Sequence, residues 1–162
     1  MSNWEDSMKI LFLDINGVLN SVRSAVALGG HSYRKKYHEK FDKIAVALIR
    51  KLCNSTSTKI CLSSIWRIGY TVETLPNLAN TLDLPIIDKT PKFLDRIRQR
   101  SFRGTEIQAW LDRHLEVTKY AIVDDDDSDM LVSQKPFLVH TDNYEGLSYK
   151  NYEQLFKILE SN

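Results

Sequence analysis

The chain has 162 residues, 43% of them apolar, and a formal net charge of +1 at neutral pH. That length suits one domain burying about 70% of its unfolded surface. The near-neutral charge excludes a whole-molecule electrostatic attraction to nucleic acid or membrane and leaves only local patches for such binding.

No stretch approaches the ~20 consecutive apolar residues that span a bilayer. The opening MSNWEDSMK is too short and too polar for a secretory signal. Cys53 and Cys61 therefore read as reduced, partly buried small hydrophobes in a cytoplasmic protein.

In chain order, KILFLD is the first short apolar run and ends in Asp14. Residues 20–40, NSVRSAVALGGHSYRKKYHEK, follow, far longer than an ordinary strand-to-helix connection. The segment is basic and aromatic, with Arg23, Tyr33, Arg34, Lys35, Lys36 and Tyr37. Alone it is a solvated charged loop; beside Asp14 it reads as a small cap over a ligand, with Arg23 and Lys35 as binding candidates. FDKIAVALIRKL then predicts a helix with Ile44, Ala47, Leu48 and Leu52 on its inner stripe. The apolar run TKICLSS ends in Ser63 and Ser64. A weaker helix is predicted over about Thr71 to Asn80, followed by the run LPIID. GTEIQAWLDRHL predicts a helix capped by Gly104 or Thr105, with Ile107, Trp110, Leu111 and Leu115 inward. KYAIVD and PFLVH are further apolar runs. SYKNYEQLFKILE closes the chain as a helix capped by Ser148, facing inward through Leu155, Ile158 and Leu159.

The apolar runs are nearly continuous rather than alternating, as in strands buried on both faces of a parallel sheet. Alternation with helices predicts a single three-layer, Rossmann-like α/β domain, with the 20–40 insertion after its first strand.

Ligands of open α/β sheets bind outside the carboxyl ends of the strands. Asp14 with Asn16, Ser63 with Ser64, and Asp124 with Asp125 leave three of those ends and would converge on one crevice. Their carboxylates would repel one another, so a cation belongs among them, and an oxygen-only donor set suits Mg²⁺. A hydroxyl such as that of Ser63, with backbone N–H groups at a helix start, suits phosphate oxygens. Arg103, just before a predicted helix, is a candidate to balance phosphate charge.

These residues carry a family resemblance. FLDINGVLN resembles the first motif of the haloacid dehalogenase-like (HAD) hydrolases, usually Asp-x-Asp-Gly; ICLSS resembles the second and AIVDDDDSD the fourth. SSIWR, RGTEIQAWL, IVDDDDSDM and TDNYEGLS are more narrowly similar to the small branch found in RNA-repair, or Swiss Army Knife, proteins. The resemblance implies that Asp14 is the nucleophile, forming an aspartyl-phosphate. It implies that Ser63 and the third motif's cation hold the transferring phosphoryl group; Arg103, 21 residues before Asp124, is placed in that motif, with Lys89 and Lys92 as competitors. Asp124 and Asp125, with Asp14 and the backbone carbonyl of Asn16, would hold Mg²⁺. Ser64, Trp66 and Arg67 would meet the rest of the substrate, Trp66 by stacking on a base and Arg67 by binding a second phosphate. The implied substrate is a phosphorylated nucleotide, a nucleotide-derived signal or a nucleic-acid terminus.

Other readings are weaker. DINGVLN lacks the downstream ligands of a calcium loop, and no Gly-rich phosphate loop of the triphosphatase kind occurs. Trp110 reads as a core aromatic. His31, His38, His114 and His140 show no metal-ligand spacing.

Asn16 departs from the family pattern, which places there an acid that protonates the leaving oxygen and then activates water. An amide is nearly isosteric with that acid but exchanges no proton at useful pH, and losing such help costs ~10²–10⁴ in rate. Three explanations stand at this level: a substrate-trapping substitution in a parent with Asp at 16, a naturally slow or phosphoenzyme-forming enzyme, or a non-catalytic protein that sequesters a phosphorylated ligand.

Overall fold

A computed structural model describes residues 7–30, 40–93 and 102–161. Five strands, β1 (Met8–Leu13), β2 (Thr58–Leu62), β3 (Ile86–Lys89), β4 (Val117–Asp124) and β5 (Leu138–His140), form one sheet in the order β3-β2-β1-β4-β5. Every pairing is parallel. The helices are α1 (Val22–Leu28), α2 (Lys43–Thr56), α3 (Leu75–Leu82), α4 (Arg103–Leu111) and α5 (Tyr149–Glu160). The α/β architecture expected from the sequence is the one observed.

Strand side chains alternate between the two faces of the sheet. Leu11 and Leu13, Ile60 and Leu62, and Ala121 and Val123 enter one core with Ile49 and Leu52 of α2, Leu78 of α3, and Leu155 and Leu159 of α5. Ile10, Phe12, Cys61 and Ile122 enter the other with Ile107 and Trp110 of α4. There Phe12 meets Trp110 edge-on, with ring centroids 5.5 Å apart. Two covered faces explain why the strands read as unbroken apolar runs.

Several local expectations need correction. In α2 the buried residues are Ala45, Val46, Ile49, Leu52, Cys53 and Thr56, whereas Ile44 is 70% exposed. The run IAVALI is apolar on every side, so periodicity leaves the helix phase open and contact with the sheet selects it. Leu115 lies beyond the end of α4 and is 88% exposed. Helix α4 begins at Arg103 itself, with Phe102 before it and no side-chain cap. Helix α3 starts at Leu75, with Pro76 in its first turn, where its missing N–H costs nothing. Thr71 and Thr74 form a hydrogen-bonded turn ahead of it. Ser148 caps α5 as expected, its Oγ accepting from the Asn151 backbone N–H at 3.2 Å.

In the insertion after β1, Ser21 caps the short helix α1, and Gly29, at a φ of 74°, ends it in the left-handed region. Lys35, with Tyr33, Arg34, Lys36 and Tyr37, lies outside the described residues. Among the described residues, no helix is long and apolar enough to cross a membrane.

Candidate active site

The parallel ladder continues one residue past β1, β2 and β5. Asp14 donates its backbone N–H to Val123 O at 3.1 Å, Ser63 to Leu13 O at 3.0 Å, and Thr141 to Asp124 O at 2.9 Å. Asp14, Ser63 and Asp124 thus stand side by side at the carboxyl edge of β1, β2 and β4. By strand alternation they follow Phe12, Cys61 and Ile122, whose face is the one covered by α4. The first residue of that helix is Arg103, and its Nη1 contacts Asp124 Oδ2 and lies 3.4 Å from Asp14 Oδ2. Of the three cations the sequence offers, Arg103 is the one that reaches Asp14. Lys89 Nζ donates to the carbonyls of Arg67 and Tyr70. Lys92 lines an adjoining cleft of about 190 Å³ together with Arg67 and Arg103.

Two glycines permit this approach. A Cβ on Gly104 would come within 2.7 Å of Gln134 Oε1 and of Leu131 N, and within 2.8 Å of Asp129 O. Its absence lets α4 lie against the loop after β4, where Gln134 Nε2 donates to Gly104 O at 2.8 Å. Gly17 has a φ of 76°, and a Cβ there would collide with the Asp125 carboxylate. Only glycine tolerates that conformation together with that neighbour.

Carboxylate oxygens of Asp14, Asp124 and Asp125 lie within 4.8 Å of one another. Asp14 and Asp124 are buried. Burial, and then the neighbouring Asp14 charge, raise Asp124 to about 7 despite the opposing pull of Arg103. The same two causes raise Asp125. Burial works to lower the Arg103 pKa, but Asp14 and then Asp124 overcome it and leave the guanidinium firmly charged. One guanidinium among three crowded carboxylates leaves unbalanced negative charge, and an all-oxygen donor set of this kind fits a hard divalent cation. Ser63 Oγ is fully buried with no partner among the described residues. An orphan hydroxyl of this kind costs roughly 1–3 kcal/mol, and a ligand oxygen would relieve it.

A profile of the family described as the HAD domain in Swiss Army Knife RNA repair proteins matches residues 10–152. The chain belongs to that family. No curated protein and no solved structure matches it significantly. HAD-domain membership carries with it a hydrolase of phosphatase type, and the three-acid cluster agrees with that chemistry.

The remaining residues of interest in this HAD domain fall into two groups. Near Asp14, Asn16 Oδ1 accepts from Trp66 Nε1 at 3.1 Å and from Asn20 Nδ2 at 3.0 Å. The Trp66 ring packs on Phe41, with centroids 5.3 Å apart. Arg23 is exposed and pairs with Asp42 at 3.2 Å and Glu145 at 3.4 Å. Below the second motif, Ser64 is buried and its Oγ accepts from Trp66 N at 3.3 Å, capping the 3₁₀ turn Ile65–Gly69. Arg67 is buried against Glu106, 2.5 Å from its Oε2, and donates to the carbonyls of Ser63 and Ser64 at 3.3 and 2.9 Å. Glu106 Oε1 accepts the Phe93 backbone N–H at 2.9 Å. The Arg67–Glu106 pair thus ties the turn holding Ser63 to the helix holding Arg103.

Asn20, Glu106 and Gln134 escaped the sequence reading. Each is an ordinary polar residue whose burial depends on a partner distant in sequence or across a turn. Glu106, three residues after Arg103 in a helical segment, offers no signal before its contact with Arg67 is known.

Proposed function

We propose that the chain is a Mg²⁺-dependent phosphohydrolase-type protein that transfers a phosphoryl group to Asp14, with turnover attenuated at Asn16. Its substrate class is a nucleotide, a nucleotide-derived signal or a nucleic-acid end. The observation that carries this reading is the alignment of Asp14, Arg103 and the orphan Ser63 hydroxyl at adjacent strand ends. Asp14, Asp124, Asp125 and the carbonyl of Asn16 would hold the Mg²⁺, which when bound supplies charge balance for the carboxylates and for phosphate oxygens. Ser63 Oγ–H would donate to one phosphoryl oxygen. Arg103 would release part of its contact with Asp124 to meet the charge that develops on the transferring group. Asp14 would attack phosphorus as the leaving oxygen departs on the opposite side. The buried, unpaired thiols of Cys53 and Cys61 support a reducing, cytoplasmic setting.

A non-catalytic binding role is favoured by one specific observation, the neutral and doubly hydrogen-bonded amide at 16. Phosphate release from a nucleotide panel with Mg²⁺, comparing this chain with Asn16→Asp, separates the two readings. Turnover by Asn16→Asp supports the hydrolase, and Asp14→Asn in that background should abolish it. Tight binding of a phosphorylated compound with no turnover by either form supports the binding role.

A further inference from the structure

Beyond Ser63, the strand ends carry a second unsatisfied hydroxyl. The ladder also continues past β3, where Thr90 donates its backbone N–H to Leu62 O at 3.0 Å. Cys61 pairs with Asp88 and Leu62 with Lys89, so Thr90 stands beside Ser63. By alternation both return to the face of Cys61, the one covered by α4. Thr90 is 2% exposed, and its Oγ1 has no hydrogen-bond partner among the described residues. The same holds for Nε of the buried Arg67, although the rest of that guanidinium is committed to Glu106 and to the carbonyls of Ser63 and Ser64. Thr141, at the end of β5, shows the contrast, since its hydroxyl donates to Gly17 O at 2.8 Å. Buried polar groups are normally paired. Two orphan hydroxyls and an orphan guanidinium N–H around one stretch of strand ends therefore mark a place for acceptor oxygens from outside the chain.

The cleft beside Arg103 is lined on one side by Ile65, Arg67 and Ile68 of the turn after β2 and by Lys92, two residues beyond Thr90. On its other side stand Asp126 and Asp129, from the loop after β4. Arg67 is neutralised by Glu106 and Arg103 is held by Asp14 and Asp124, so the exposed Lys92 is the cation this wall can turn toward a ligand.

We propose that the wall formed by Thr90, Arg67 and Lys92 is a second phosphate site, separate from the seat of the reacting group. Thr90 Oγ1 and Arg67 Nε donate to its oxygens, and Lys92 supplies the positive charge. The proposal rests on the reading of Asp14, Ser63 and Arg103 as the seat of the reacting phosphoryl group. Neighbouring strands lie ~4.8 Å apart, so phosphates seated over Asp14 and over Thr90 are separated by ~5–10 Å. A sugar between two phosphates spans that distance, whereas the single bridging oxygen of a diphosphate does not. The substrate is therefore a nucleotide phosphorylated on both sides of its ribose, either as a free nucleoside 3′,5′-bisphosphate or as the last residue of a phosphorylated nucleic-acid strand. Asp126 and Asp129 repel a second anion from the opposite wall, which directs it over β2 and β3. Ile65 and Ile68, about half exposed beside Arg67, offer apolar contact to the base or sugar.

The test measures binding to the full chain with Mg²⁺, by titration calorimetry at low salt. The probes are adenosine 3′-monophosphate, adenosine 5′-monophosphate, adenosine 3′,5′-bisphosphate and a 3′-phosphorylated dinucleotide. The bisphosphate should bind ~10-fold or more tightly than either monophosphate, the gain expected from one charge-assisted contact. An advantage shared by the dinucleotide supports a nucleic-acid end as the source, and one confined to the bisphosphate supports a free nucleotide. Lys92→Ala should remove most of the advantage and Thr90→Val part of it. Thr90→Val should leave the melting temperature level or higher, because it deletes an unpaired hydroxyl; a fall would show that the hydroxyl serves the fold and overturn its role here. Equal affinity for mono- and bisphosphates, or an advantage that survives Lys92→Ala, overturns the proposal. Phosphate release is read separately in Asn16→Asp. Release from a monophosphate without any bisphosphate advantage sinks the second site alone. If no probe binds and none releases phosphate, the phosphohydrolase reading falls and the proposal with it.

Discussion

Trp66 Nε1 lies 3.1 Å from Asn16 Oδ1, and this bond joins the turn after β2 to the turn after β1. Those turns carry Ser63 and Asp14, so the contact sets the orientation of residue 16 and also braces two site residues against each other. The same bond gives Trp66 a structural task, with its ring packed on Phe41 and its N–H donated to the amide.

Replacing Trp66 by Phe keeps most of the ring packing and removes the donor. The expected cost is about 0.5–1.5 kcal/mol of stability, the usual size of one such bond, measured by urea denaturation. Phosphate release from the nucleotide panel should slow because residue 16 is no longer held, while Trp66→Tyr should not restore it, since the phenol places its hydroxyl elsewhere.

The buried Arg67–Glu106 pair makes a second, larger prediction. Glu106→Ala leaves a guanidinium buried without its counter-charge and frees the Phe93 N–H. A loss of roughly 3–5 kcal/mol is expected from removing one member of a buried pair. Glu106→Gln, which keeps the hydrogen-bonding shape, should lose less. Chemical denaturation of both variants checks the ranking.

Gly104→Ala should damage the site without touching a carboxylate. The added methyl meets Gln134, Leu131 and Asp129, and overpacking of this kind costs roughly 1–3 kcal/mol. Relief requires α4 to move outward, carrying Arg103 away from Asp14. In the Asn16→Asp background, a chain that remains folded by circular dichroism but has lost phosphate release would fit. Unchanged phosphate release would show that Arg103 does not depend on this close approach.

The acid cluster makes the metal-free protein sensitive to pH. Asp124 titrates at about 7 in the folded chain, against an ordinary value of 3.8. Between those values the folded state binds more protons than the unfolded state, so stability falls as pH rises across that window. The contribution is fully present below the ordinary value and lost once pH passes about 7. Thermal melts of metal-free protein should therefore show this component declining over that range. Mg²⁺ should raise the melting temperature more at pH 8 than at pH 5, since protons compete with the cation for Asp124. An equal shift at both values would remove Asp124 from the metal set.

Much of this molecule is legible from its sequence because the relevant physics is local. Continuous apolar runs ending in Asp14, Ser63 and Asp124 specify buried parallel strands, and the rule that such sheets bind ligands at their carboxyl ends then gathers those residues. Ser148 is readable as a cap because the capping bond lies within four residues of chain.

Other properties belong only to the tertiary structure. The phase of α2 is set by what its all-round apolar stretch packs on, and α4 ends before Leu115, which periodicity places on its inner stripe. Choosing Arg103 over Lys89 and Lys92 required knowing which cation the sheet and Gly104 bring to Asp14, a matter of distance across 89 residues of chain. The parallel sheet, its three polar strand ends and the amide at position 16 can all be read along the chain. Only the fold decided that Trp66 and Asn20 turn that amide into a fixed donor and that Glu106 neutralises Arg67, because these hydrogen bonds join turns and helices that periodicity cannot relate to one another.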